Sequence, residues 1–290
     1  MNRIIPSSEL IINEDGTIFH LHLRPNQIAS KVILMGDPNR VDTVASFFDS
    51  IEIETINREF HSITGTYQGK RVTALSTGIG CDNIDIVMTE LDALVNIDFS
   101  TRQIKEKLTS LEIVRVGTCG GLQENTPVGT YIASAKSIGL DGLLNFYAKK
   151  DEVCDEELEK QFIAHMNLEK PLCIPYAVSA NQTLLERISG NDMIKGITVC
   201  CGGFYGPQGR ELRLSLTDPN QNTKIQSFEY NGLHVTNYEM ESSAVAGMAQ
   251  MLGHKAMTCC LVIAGRRSGE ANTTYKNSIK SLVELVLKRI

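Results

Sequence analysis

Short runs of β-branched residues that end on glycine alternate along this chain with stretches of helical periodicity. That alternation constrains the fold more than any other feature. Lys31–Gly36 (KVILMG), Arg71–Gly78 (RVTALSTG), Glu112–Gly117 (EIVRVG) and Met257–Gly265 (MTCCLVIAG) are largely apolar, as strands buried on both faces must be. Gly129–Ala135, Cys173–Ala180 and Ile197–Cys201 are further strand candidates. Between them, Ile84, Val87, Met88, Leu91 and Val95 recur at helical spacing, with Asp82 as the expected N-cap. A second helix is expected over Tyr238–Leu252, ended by Gly253, and a third carries Ile279, Leu282, Val283, Val286 and Ile290 on one stripe. The alternation predicts an α/β fold: a three-layer α-β-α sandwich around a mixed, largely parallel central sheet.

At 290 residues, length alone favours about two domains. No linker, repeat or low-complexity tract divides the chain, so one domain over 1–290 is expected, with 1–18 as an N-terminal extension. Thr101–Thr109 and Thr217–Tyr230 are polar and read as insertions. Apolar residues make up 42% and charged residues 21%, which excludes disordered, collagen-like and disulfide-stapled classes. The net charge of -6 argues against nucleic acid as a partner. The chain opens without a signal-peptide pattern, and no run approaches the roughly 20 apolar residues of a membrane span. A cytoplasmic protein with no membrane partner is expected. Its 8 cysteines include the adjacent pairs Cys200-Cys201 and Cys259-Cys260. Strand neighbours point to opposite faces, so neither pair readily shares a metal, and buried free thiols are expected.

Several segments carry chemistry. Gly36-Asp37-Pro38-Asn39-Arg40 joins a strand to a helical pattern, with Asp37 as expected N-cap and Pro38 in the first turn. Free N–H groups beside Arg40 would suit an anion; the alternative is a capped turn with Arg40 in solvent. Arg115 lies inside a buried strand, ahead of Thr118, Gly120 and Gly121, and a buried guanidinium requires an anionic partner. A bound anion at the strand's C-terminal end is favoured over an internal ion pair. Ser76–Asn83 offers G-x-G but has Asn83 in place of the third glycine, so dinucleotide binding is rejected. In Phe204–Arg210, Gln208 and Arg210 can read a planar amide-like edge such as uracil, with Phe204 against a ring. In Tyr238–Ser243, a carboxylate could clamp sugar hydroxyls, with Met240 on the sugar's apolar face. His20 and His22 lack nearby acidic or cysteine partners at metal-ligand spacing, so no metal site is expected.

Taken together, Gly-Asp-Pro-Asn-Arg, Ser-Thr-Gly-Ile-Gly, Arg-Val-Gly-Thr-Cys-Gly-Gly, Phe-Tyr-x-x-Gln-Gly-Arg and Tyr-Glu-Met-Glu-Ser-Ser occur in the order seen in the nucleoside phosphorylase family. The set resembles the uridine phosphorylases of that family, from Phe19 to Ile290. The resemblance implies phosphorolysis of uridine to uracil and ribose 1-phosphate, with phosphate as co-substrate and no cofactor required. It places phosphate at Gly36, Arg40, Arg115 and Thr118, with Arg58 reaching a neighbouring subunit's phosphate. It places ribose against Glu239, Met240 and Glu241, with His20 lent across the same interface. It places the base at Phe204, Gln208, Arg210 and Arg266. The main catalytic weight then falls on Arg210, Gln208 and Glu241. A dimer-based homo-oligomer, a homohexamer, is implied, and so is an interface potassium ion at Glu59, Ile79 and Asn83. Purine-specific relatives carry an Asp after the late strand; Ala264-Gly265-Arg266-Arg267-Ser268 has none. A purine or broad-specificity phosphorylase, or a nucleosidase of the same fold, is the alternative.

Overall fold

A strand buried on both faces satisfies its backbone only by pairing with other strands, and the apolar runs do so side by side. The computed structural model describes residues 3–167 and 173–290. The main sheet runs through Glu229–Tyr230, Leu233–Glu239, Ile194–Cys200, Tyr131–Gly139, Lys255–Gly265, Glu112–Gly121, Lys31–Met35, Lys70–Ser76, Phe60–Tyr67 and Ser50–Asn57. Lys31–Met35 pairs in parallel with Lys70–Ser76 and Glu112–Gly121, and Lys255–Gly265 pairs in parallel with Glu112–Gly121. Antiparallel pairing over 50–76 finishes one edge, so the sheet is mixed.

Side chains along Lys31–Met35 sort by the strand's period of two. Val32 and Leu34 join the core beneath the helices Cys81–Asn96 and Ser242–Leu252. Ile33 and Met35 join the core beneath Asn39–Ala45, Gln182–Ser189 and Lys276–Arg289. This gives the expected three layers. The adjacent cysteines obey the same rule: Cys200 and Cys201 fall in different clusters, as do Cys259 and Cys260.

The sheet also closes on itself, which alternation does not reveal. Asn237 and Tyr238 pair with Gly121 and Gly120, so five strands form a ring. Bulges in Ile194–Cys200 and Lys255–Gly265 bend the ring's members. Glycine allows the close approach: a Cβ on Gly121 would lie 2.2 Å from the Thr126 carbonyl.

Helix starts differ from expectation. Tyr238 and Glu239 belong to a strand, and the helix begins at Ser242. The 81–96 helix begins at Cys81 with Gly80 as N-cap, so Asp82 sits in its first turn. Pro38, not Asp37, caps Asn39–Ala45; the Asp37 carboxylate accepts from the Asn39 N–H at 3.0 Å. Side chains in the two polar stretches make specific contacts. Arg102 donates to the carbonyls of Ile5, Pro6 and Leu10, while Leu10 and Ile18 are buried in the core. Thr217–Tyr230 contains the helix Gln221–Ser227.

Candidate active site

Several of the expected site residues lie where the parallel strands end. Gly36 follows Met35, and a Cβ on it would lie 3.3 Å from the Gly78 carbonyl, so the ends of two adjacent strands nearly touch. Thr118 lies half-buried on Glu112–Gly121, opposite Leu261.

Arg115 is 4% exposed. Gly117 makes room for it, because a Cβ there would fall 2.3 Å from Nη1. Nη1 donates to Glu239 Oε2 at 3.3 Å, and Nη2 donates to Glu241 Oε2 in a closer pair. The anionic partner that burial demands is therefore supplied inside the chain. An internal ion pair is present where the sequence favours a bound anion, and among the described residues Arg115 Nε is buried without a partner. Burial alone would lower the Arg115 pKa, but Glu241 and Glu239 hold it above the ordinary value.

The two carboxylates have different duties. Glu239 Oε2 accepts from the N–H groups of Glu241 and Ser242, both at 2.8 Å, and Oε1 accepts from the Ser242 hydroxyl at 2.6 Å. It caps the following helix with negative charge, which a helix N-terminus favours. Glu241 accepts from the Gly80 N–H at 2.7 Å. The Gly78-Ile79-Gly80 turn thus serves a carboxylate. Burial lifts the Glu241 carboxyl above its usual range; Arg115 opposes the rise and Glu239 adds to it. The Met240 carbonyl accepts from Cys81 Sγ at 3.3 Å.

A second group lies on the loop after Ile194–Cys200. Gln208 is 2% exposed. Arg210 Nη1 donates to Gln208 Oε1 at 2.6 Å and to the Phe204 carbonyl. The Arg210 guanidinium lies 3.6 Å from the Phe204 ring centroid, so it covers one face of the ring expected to meet a base. Arg266 Nη2 donates to the Gln208 carbonyl at 3.0 Å, and its Nε is buried without a partner. Arg266 Nε and Arg210 Nη2 both approach Gly120, 3.4 and 3.9 Å from where its Cβ would be. Burial, and then Arg266, lower the Arg210 pKa to about 10. Burial also lowers that of Arg266. Two arginines that share one desolvated corner await a negative or strongly accepting partner. Arg267 turns away to Glu124 at 2.8 Å.

Arg40 is not in solvent. Its side chain is 13% exposed, with Nη2 donating to the Tyr275 hydroxyl at 3.2 Å. His20 and Arg58 form a separate group. His20 Nδ1 pairs with Glu90 at 2.7 Å, Asn57 holds the His20 carbonyl at 2.8 Å, and exposed Arg58 lies 5.9 Å from the Phe19 ring.

Sequence reasoning missed Glu90, Tyr275, Gln221 and Asn222. Glu90 had a signal, as an acid between Val87, Met88, Leu91 and Leu94 on the apolar stripe; it also accepts from the Leu21 N–H at 2.8 Å. The others lie in segments without periodicity. Among the described residues no helix is long and apolar enough to cross a membrane.

Comparison with known proteins places the fold in a family. A Trypanosoma brucei nucleoside phosphorylase, described as showing uridine phosphorylase activity, superposes with a TM-score of 0.86 at 28% identity, covering 97% of this chain and 98% of that one. Uridine phosphorylases of Thermococcus kodakarensis and Escherichia coli are each 27% identical, covering 91% and 93% of this chain and 83% and 96% of theirs. A DeoD-type purine nucleoside phosphorylase of Colwellia psychrerythraea is 24% identical over 93% of this chain and 98% of its own. The Phosphorylase superfamily model matches residues 30–289, and the chain belongs to that superfamily.

Proposed function

We propose that this chain is a uridine phosphorylase. The carrying observation is the convergence of Gln208, Arg210 and Arg266 on one desolvated corner, together with the buried Arg115–Glu241 pair. Gln208 and Arg210 read the uracil edge, and Arg266 Nε supplies a donor toward the base carbonyl oxygen. Glu241 accepts from the 2′- and 3′-hydroxyls of ribose, with Met240 on its apolar face and Glu239 holding Glu241 and Arg115 in place. Gly36, Arg40, Arg115 and Thr118 bind phosphate, and Arg58 of a neighbouring subunit completes the anion site. His20 of that subunit meets the ribose 5′-hydroxyl.

A phosphate oxygen attacks C1′ as the C1′–N1 bond breaks. The bonding pair leaves on uracil, which takes its proton from water. The sugar passes through oxocarbenium character, which the phosphate charge and the Glu241 carboxylate stabilise. Arg210 and Gln208 offset the charge on the departing base. Catalysis is positioning plus electrostatics, with no metal and no cofactor required. The absence of an acid at 264–268 supports a pyrimidine over a purine.

The roles of His20 and Arg58 require at least a dimer, and the resemblance implies a dimer-based homohexamer. The 8 cysteines, all free, support a cytoplasmic setting. The potassium positions lie together: a Cβ on Gly78 would meet Glu59 Cγ at 3.1 Å and the Asn83 amide at 2.5 Å. Asn83 Nδ2 donates to the Ile79 carbonyl at 3.4 Å, so the Glu59 carboxylate and that carbonyl are the oxygens available to an interface ion. No step depends on it.

A phosphate-dependent absorbance assay across uridine, thymidine and inosine tests this reading. Uridine is expected to be cleaved only with phosphate. Full turnover without phosphate, or inosine as the better substrate, overturns it. Arg210→Ala should lower kcat/KM for uridine by about a hundredfold, equivalent to roughly 3 kcal/mol, with KM for phosphate unchanged.

A further inference from the structure

The Gln221–Ser227 helix has no part in the roles above, yet its first turn reaches the base-reading loop. Gln221 Nε2 donates to the Pro207 carbonyl at 2.7 Å, and Asn222 Nδ2 donates to the Gly209 carbonyl at 3.0 Å. Between them, the Gln208 carbonyl accepts from Arg266 at 3.0 Å. Three successive peptide oxygens are each held by a side chain from outside the loop.

Asn222 is itself oriented. Its Oδ1 accepts from the Tyr238 hydroxyl at 3.0 Å, which turns Nδ2 toward Gly209. Tyr238 is fully buried and pairs with Gly120 in the closed ring, so the clamp is anchored to the buried sheet. Gly209 has φ +64°, and a Cβ there would lie 2.4 Å from the Asn222 amide. The loop and the asparagine fit only because that position is glycine.

The loop needs such support. Gln208 ends a three-residue 3-10 turn, a poor scaffold by itself, while Phe204 and Tyr205 beside it are exposed. We propose that Gln221 and Asn222 are positioning residues that hold Gln208 and Arg210 in register for a planar base edge and so set base selectivity. The selectivity half of this proposal rests on the uridine phosphorylase reading. A reader displaced by about 1 Å can lose on the order of a hundredfold in rate.

Two isosteric variants test the clamp. Asn222→Asp keeps the acceptor for Tyr238 but points a carboxylate oxygen at the Gly209 carbonyl; Gln221→Glu does the same at Pro207. Amide hydrogen exchange on the ligand-free protein should speed up about tenfold at Gly209 and Arg210 in both. Unchanged protection overturns the clamp, whatever the native substrate proves to be. On uridine, kcat/KM should fall between about tenfold and a hundredfold, with KM for phosphate native and the preference for uridine over inosine reduced. Faster exchange with native kcat/KM and native base preference overturns the selectivity role. Native protein that fails to cleave uridine breaks the underlying reading while the exchange result still judges the clamp.

Discussion

The strand Glu112–Gly121 carries two charges, Glu112 and Arg115, in two very different settings. At its start, Glu112 pairs with Lys31 at 3.0 Å, Arg187 at 2.7 Å and Lys255 at 3.6 Å. That cluster stands partly in water, with the Glu112 side chain 22% exposed. Three residues further on, Arg115 is buried against Glu239 and Glu241. Burial raises the Glu112 pKa, but hydrogen bonds from Arg187 and Lys31 outweigh it and bring the carboxyl down to about 2. Around Arg115, burial dominates Glu241 and pushes its carboxyl up. One cluster therefore favours its charges, while the other bears a cost to keep them. Costly buried charge of this kind is characteristic of functional sites rather than of structural ion pairs at a surface.

Three substitutions separate the two clusters. Arg115→Met leaves two carboxylates buried without a cation. It should lower kcat/KM for uridine by about a thousandfold or more and cost roughly 3–5 kcal/mol in denaturant unfolding. Native stability in that variant would show that the buried charges are not coupled as described. Glu241→Gln removes one acceptor but keeps its shape, so kcat/KM should fall about a hundredfold with a small change in unfolding midpoint. A loss confined to stability would place Glu241 outside the ribose site. Glu112→Gln should leave kcat/KM native and cost about 1 kcal/mol at neutral pH, since the cluster is screened by solvent.

The sign of the acid response sharpens the contrast. The folded pKa of Glu112 lies below its unfolded value, so its contribution is present above about 4.5 and fades as pH falls toward about 2. The gap between native and Glu112→Gln unfolding should accordingly narrow from pH 7 to pH 3. Glu241 has the opposite sign: its raised pKa makes the ionised form the costly one, so protonation there favours the folded chain while removing the acceptor for ribose. A gap that widens on acidification would show that Glu112 is not held by its cationic neighbours.

Much of the layered fold was legible in the residues. Val32 and Leu34 go to one face and Ile33 and Met35 to the other because strand geometry leaves no choice. The Ile279, Leu282, Val283 and Val286 stripe is buried for the same kind of reason. The helix read over Tyr238–Leu252 failed at its start because Tyr238 can serve as an apolar position in either period. Pairing with Gly120 and Val199 decided for the strand. The strands Ser50–Asn57 and Phe60–Tyr67 were not read, although Ile51, Ile53 and the intervening acids alternate with period two.

By itself the sequence determined that strands and helices would alternate. It determined that Arg115 must find a negative partner, and that Gln208 and Arg210 share one loop as planar readers. These follow from local periodicity and from the cost of burying charge, both of which act on residues close in the chain. Only the tertiary structure decided that the partners of Arg115 lie more than a hundred residues away at Glu239 and Glu241. Only it decided that the sheet closes through Gly120 and Gly121, and that Gln221 and Asn222 reach back to Pro207 and Gly209. Such contacts are set by how whole elements pack, and no local pattern encodes which distant side chain will arrive beside a given one.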